Sequence, residues 1–238
     1  MAMNLKEIER DISADSFFPM ALRYAAYTIL IFAATSSLPA FLQNENIEAF
    51  KEGGWIECCQ LLLLGGTSSL YFYEAFFSNH HQTIFHFLGC LSAFAAIREL
   101  DALLDRMIPL MGWKIGFVFI LYALFSAYAH RKALLRQIRI FFKTHSIVML
   151  WAGFIVAVPI GQLLGHGDFL QALMGDNYDR AYKRVIEETL ELMGYILVFA
   201  GTVEAALELR AGSTDRPAAF ERSKTYPRQH PKMTYWYK

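Results

Sequence analysis

Residues 145–165 read HSIVMLWAGFIVAVPIGQLLG, an apolar run that contains no Asp, Glu, Lys or Arg. At about 1.5 Å per residue, a helix of this length crosses about 30 Å of membrane hydrocarbon. Five further segments have a similar length and character, which gives six predicted spans: residues 19–42, 55–77, 82–101, 113–130, 145–165 and 188–209. The sequence therefore predicts an all-α polytopic membrane protein, a bundle of six transmembrane helices.

The composition agrees with this fold class. The chain has 238 residues, of which 55% are hydrophobic and 18% are charged, whereas soluble domains carry about 25% charged residues. The 22 basic and 22 acidic residues cancel, so no global field recruits nucleic acid. The predicted partner of this surface is the lipid bilayer.

The distribution of Lys and Arg predicts the orientation of the spans. With the N-terminus inside, the inner segments hold 15 basic residues and the outer loops hold 7, which favours both termini in the cytoplasm of a cell-membrane or inner-membrane protein. We expect a cytoplasmic N-terminal segment (1–18), a transmembrane domain (19–209) and a poorly ordered cytoplasmic tail (210–238). Residues 131–143 carry five basic side chains and predict an amphipathic helix at the inner leaflet.

Some predicted spans reach full length only if they include carboxylates. The uncharged run between Glu191 and Glu204 covers about 18 Å of helix, too little to cross the hydrocarbon. An Asp at the centre of a membrane helix costs about 2.5–3.5 kcal/mol on insertion scales, so intramembrane acids normally have a partner or a function.

Three polar segments are expected to meet near the outer face. The second span begins there, the third ends there and the sixth begins there. Helical spacing places their polar side chains on facing stripes, with Arg98 as the charge partner and Gln60 as a neutral ligand. The predicted ion- or proton-binding residues are Glu57, Gln60, Arg98, Glu99, Asp101, Glu188 and Glu191.

Three functions fit this cluster. The first is a cation- or proton-linked site for transport or sensing, with a bound cation as the possible cofactor and a homo-oligomer as the expected assembly. The second is an accessory subunit of a larger membrane complex, in which an ion pair of Arg98 with the sixth helix sets helix register. The third is a membrane enzyme that acts on a lipid headgroup with Glu188 or Glu191 as general base. No P-loop, GxSxG or HExxH motif is present, and no catalytic residue is assigned.

A second polar group lies on the inner side, at the loop between the second and third spans. Glu74, His80 and His81 are of types that bind zinc or a similar metal, although their spacing matches no specific motif. They are weak candidate ligands, and a solvated hairpin turn is the preferred interpretation.

Small residues predict close helix contacts. Gly153, Ala157, Gly161 and Gly165 recur every four residues in the fifth span, and Gly194 lies in the sixth. Such stripes let helix backbones approach one another. Pro159 is expected to kink the fifth helix.

Overall fold

The computed structural model describes residues 14–43, 50, 53–77 and 81–214. Within these ranges the protein is all-helical and has no β-strand, which confirms the predicted class. The described residues form ten α-helices: α1 (Ala14–Gln43), α2 (Trp55–Phe77), α3 (Gln82–Arg98), α4 (Asp101–Met107), α5 (Phe117–Ala129), α6 (Arg131–Phe141), α7 (Ser146–Ile155), α8 (Gly161–Leu164), α9 (Gly167–Met174) and α10 (Arg180–Thr214).

In the part of the chain that the structure describes, three helical stretches are long and apolar enough to cross a membrane: Gly112–Ala129, Ser146–Leu164 and Arg180–Arg210. They overlap the predicted fourth, fifth and sixth spans, although the last one begins at Arg180, before the predicted start of the sixth span at residue 188. The first of them opens with a 3₁₀ turn (Gly112–Gly116). The fifth span contains a π-helical turn, Val156–Ile160, which includes Pro159. The predicted kink is therefore a wide turn that joins α7 to α8.

The other three predicted spans are also helical, but some of these helices begin or end at residues other than those predicted. α2 has the predicted bounds, and α1 extends a few residues beyond them. α3 ends at Arg98, three residues before the predicted end of the third span, and the chain turns before α4 begins at Asp101. Residues 1–13 and 215–238 of the predicted cytoplasmic segments lie outside the described residues.

α10 is the central helix, with α2 and α7 packed against it. α2 and α10 run in the same direction, because Gln60 near the start of α2 contacts Glu188 and Glu74 near its end contacts Arg210. Both therefore begin at the same level of the molecule. Two buried apolar clusters lie at the two ends of this pair, one around Tyr71, Phe85, Phe141 and Leu209 and one around Phe50, Ile56, Leu192 and Ile196.

α6 is the predicted amphipathic basic helix. Leu134, Gln137 and Phe141 are buried, whereas the basic side chains of Arg131, Lys132, Arg136 and Arg139 are exposed. The Gln137 side-chain oxygen accepts the backbone N–H of Ile84 at 2.9 Å, which satisfies a free donor in the first turn of α3. α6 thereby closes the end of the bundle at which α3 begins.

The contact between α10 and the fifth predicted span depends on small residues. A Cβ atom on Gly194 would lie 2.5 Å from the Ala157 Cβ and 2.6 Å from the Ala157 backbone nitrogen. A Cβ on Gly153 would lie 2.7 Å from the Gly194 carbonyl oxygen. The two backbones therefore touch directly, as the small-residue stripe predicts.

Gly194→Ala should destabilise the protein by about 1–3 kcal/mol, because the added methyl group meets backbone atoms that cannot move aside. The measurement is the thermal unfolding midpoint in detergent. Gly65→Ala is the control: it is also in a helix interior, but its Cβ would meet nothing within 4 Å. That variant should be unchanged or more stable by about 0.5–1 kcal/mol. Equal midpoints for the two variants would contradict this packing.

Candidate functional site

The carboxylate cluster comprises Gln60, Glu99, Glu188, Glu191 and Tyr195, together with Arg98 at its edge. Gln60 is fully buried one turn into α2. Its side-chain Nε2 donates to the Glu188 Oε2 at 3.0 Å and to the Glu188 carbonyl oxygen at 3.2 Å. The second and sixth predicted spans therefore meet, as expected, and the contact is a hydrogen bond from the Gln60 amide to the Glu188 carboxylate.

Glu99 joins the cluster from the turn after α3. The Tyr195 hydroxyl of α10 donates to the Glu99 Oε1 at 2.9 Å. Both side chains are partly buried. The sequence places Tyr195 on the α10 stripe but does not indicate its partner, because a Tyr in a span is also an ordinary apolar residue.

Glu191 is the unusual member of the cluster. It is 8% exposed, and among the described residues it has no hydrogen bond and no ion pair. Its charged neighbours include the like-charged Glu99 and Glu188. A buried carboxylate without a donor is costly when ionised, so Glu191 is suited to take up a positive charge.

Glu191 lines a cavity of about 220 Å³ between α3, α10 and the fifth predicted span. Polar and apolar groups share its wall: Phe94, Ala95, Arg98, Glu99, Ala157, Val158, Gln162, Glu191 and Tyr195. Two of them, Ala157 and Val158, belong to the π-helical turn. Such turns are frequent at functional sites, and here the turn forms one side of the cavity.

Arg98 lines the same cavity from the last turn of α3, with an exposed side chain. It makes no salt bridge to a carboxylate of the described residues. The ion pair between Arg98 and the sixth helix, on which the register-setting interpretation depends, is therefore not formed in this part of the chain. The positive charge of Arg98 attracts the Glu99 and Glu191 carboxylates without a direct bond to either of them.

Two predicted site residues make local contacts instead. The Glu57 Oε2 accepts the backbone N–H of Gly53 at 2.5 Å, before the start of α2. The Asp101 Oδ1 accepts the N–H of Ala102 at 2.6 Å, and Asp101 is exposed. Neither lines the cavity. Asp101 is turned away because the helix that was expected to carry it ends at Arg98.

Two buried carboxylates at the opposite end of the bundle are held by arginines. Glu204 is 1% exposed and accepts two bonds from the Arg23 guanidinium, at 2.6 and 3.0 Å, and one from the Tyr27 hydroxyl at 2.9 Å. Glu74 is 2% exposed and is paired with Arg210, at 3.1 Å from its Nε. These two ion pairs, Arg23–Glu204 and Arg210–Glu74, lie on the side that the sequence predicts to be inner and are called the inner pairs below.

One of the candidate metal ligands, Glu74, belongs to an inner pair. The Glu74 carboxylate is engaged by a guanidinium, and His81 is buried against the Phe85 ring. His80 lies outside the described residues. In the ranges that the structure covers, no three His, Cys, Asp or Glu side chains converge as a set of metal ligands.

Comparison with known proteins adds no functional assignment. No protein-family model matches the chain, and no match is found among curated proteins or among solved structures.

Tyr195→Phe should destabilise the protein by about 0.5–2 kcal/mol, because it leaves the Glu99 carboxylate without its donor. The measurement is again the thermal unfolding midpoint in detergent. Tyr122→Phe provides the control: its side chain is exposed on α5, and its hydroxyl has no hydrogen bond to a described residue. If both variants unfold at the wild-type midpoint, the Tyr195–Glu99 bond does not contribute to stability.

Proposed function

We propose that this protein is a multi-pass cell-membrane protein in which the carboxylate cluster takes up a proton or a small cation, as part of transport or sensing. The observation that carries the proposal is Glu191, a carboxylate that is 8% exposed, faces a cavity and has no donor among the described residues. Buried ionisable groups in membrane helices are functional by default.

The lengths of α1 and α2, about 45 and 34 Å, are sufficient to cross about 30 Å of hydrocarbon, and α3, at about 26 Å, is slightly shorter. Together with the three apolar stretches described above, these helices would make six spans. With both termini in the cytoplasm, the carboxylate cluster faces outward and the inner pairs face inward.

A proton is favoured over a metal ion. A hard metal cation needs several converging oxygen ligands, whereas a proton needs one carboxylate. In the cluster, Glu99 and Glu188 each already accept a hydrogen bond from a neighbouring helix. Glu191 is the member whose carboxylate is available.

Glu191→Gln should abolish proton uptake by the cluster without weakening the fold, because the change removes a charge that its neighbours repel. The measurement is infrared difference spectroscopy of the protein between high and low pH, which detects the carbonyl stretch of a newly protonated carboxylic acid. A repeat with Na⁺ at constant pH tests whether a cation displaces the proton. The unfolding midpoint should stay the same or rise.

Glu187→Gln is the matched control. Glu187 lies one turn before Glu191 on α10, but it is more exposed and lies 3.9 Å from the Lys183 ammonium. It should keep the wild-type infrared signal. A signal that survives in Glu191→Gln would refute the assignment of Glu191 as the uptake site.

The accessory-subunit alternative makes a different prediction. Native mass spectrometry of gently solubilised wild-type protein would then detect a second polypeptide in fixed stoichiometry. A monomer or homo-oligomer is the expected result if the chain functions without a different partner.

A further inference from the structure

A row of buried polar side chains runs along one face of α2. Its members are Gln60, Thr67, Tyr71 and Glu74, and their exposed fractions are 0%, 0%, 2% and 2%. Their separations of seven, four and three residues keep them on one face of the helix. The row covers about 21 Å of helix, which is most of the thickness of the hydrocarbon.

α10 presents a second polar row to the first. Because α2 and α10 run in parallel, the two rows meet in order. Gln60 contacts Glu188, Thr202 lies next to the Tyr71 hydroxyl, and Glu74 contacts Arg210. Thr202 and Glu204 are also almost completely buried. Polar groups therefore lie at intervals between the carboxylate cluster and the inner pairs. On α2 the buried Leu64 occupies the same face between Gln60 and Thr67.

Two members of the row have unsatisfied atoms. The Gln60 Oε1 and the Thr67 Oγ1 are buried, and neither has a hydrogen-bond partner among the described residues. A buried polar atom without a partner destabilises the folded state, and such groups usually bind ordered water. Two of them, two helical turns apart on one face, mark a place where water would be bound inside the span.

We propose that water bound along this face of α2 connects the carboxylate cluster to the inner pairs and conducts protons between them. The proposal rests on the proposed function of the cluster. A proton enters at the Glu191 carboxylate, passes through waters and the hydroxyls of Thr67, Tyr71 and Thr202, and leaves at the inner end. Each hydroxyl accepts a proton from one neighbour and releases its own proton to the next. The covalent bonds of every group are therefore restored once one proton has passed along the row.

The inner end of the row is open to the surface. The Arg210 side chain is 54% exposed, whereas the side chain of its partner Glu74 is almost completely buried. The guanidinium keeps the buried carboxylate as an acceptor at the end of the row. A proton that reaches this level is therefore one side chain away from the solvent or the lipid headgroups.

Helix–helix adhesion alone would give a different pattern. Polar residues that only hold membrane helices together bond directly to the neighbouring helix. Ser68 does this, since its hydroxyl donates to the Gly89 carbonyl oxygen of α3 at 3.0 Å. Thr67, the preceding residue, does not. The two residues therefore form a matched pair: Ser68 holds two helices together, and Thr67 is proposed to take part in proton transfer.

The experiment is proton flux in liposomes that contain the full-length protein and an internal pH indicator, driven by an imposed pH gradient with valinomycin and K⁺ to clamp the potential. Thr67→Val keeps the shape of the side chain and removes the hydroxyl. It should lower the flux by about tenfold or more, equivalent to at least about 1.4 kcal/mol in the barrier. Ser68→Ala should keep the flux within about twofold of wild type and lower the unfolding midpoint.

Three results would overturn the proposal. One is wild-type flux no greater than that of protein-free liposomes. The second is Thr67→Val flux equal to wild type. The third is an equal loss of flux in Thr67→Val and Ser68→Ala, which would indicate a general effect on packing. The infrared signal of Glu191 separates this failure from that of the proposed function: if the signal persists without flux, the uptake site stands and the path does not.

Discussion

The fold depends on the need to supply hydrogen-bond donors to carboxylates inside a helix bundle. A buried carboxylate without a donor costs several kcal/mol. Five of the buried or half-buried acids among the described residues obtain theirs from a different helix: Glu188 from Gln60, Glu99 from Tyr195, Glu74 from Arg210, Glu204 from Arg23 and Tyr27, and Glu208 from the backbone N–H of Ser146. Every one of these contacts involves α10. This helix therefore fixes the positions of α1, α2 and α3, and Glu191, on the same helix, is left with a cavity in place of a donor.

The sequence was sufficient for the all-helical class and for the meeting of Gln60 and Glu99 with the sixth predicted span. Charge inside an apolar run predicts that Glu191, Glu204 or both lie deep, and both are buried within the bundle. The partner of Glu204 could not be predicted, because Arg23 lies 181 residues away and no local pattern connects the two. In the sequence, Arg23 is a basic residue near the start of a predicted span and therefore indicates the orientation of that span. Its position in the structure is compatible with this interpretation as well.

The end of α3 shows the limit of periodicity. Arg98 and Asp101 were expected on one helical face, but the chain turns at Glu99 and Leu100 without a Gly or a Pro to mark the break. Glu99 is bonded there to Tyr195 of another helix. A turn that coincides with a tertiary contact of this kind leaves no signal in the local sequence, so the assignment of Asp101 to the cluster could not have been corrected from residue spacing.

The π-helical turn also determines how the fifth predicted span follows α10. In an ideal α-helix, residues four apart drift around the axis by about 40° at each step. From Gly153 through Ala157 and Gly161 to Gly165, that drift would carry the last residue about 120° away from its neighbour. All four nevertheless face α10, at Gly194, Gly194, Glu191 and Glu187 respectively. The turn takes up about one additional residue, which offsets about 100° of rotation. The turn thereby keeps residues that recur every four positions in line along the surface of α10. It also leaves Val158 and Gln162 facing the cavity.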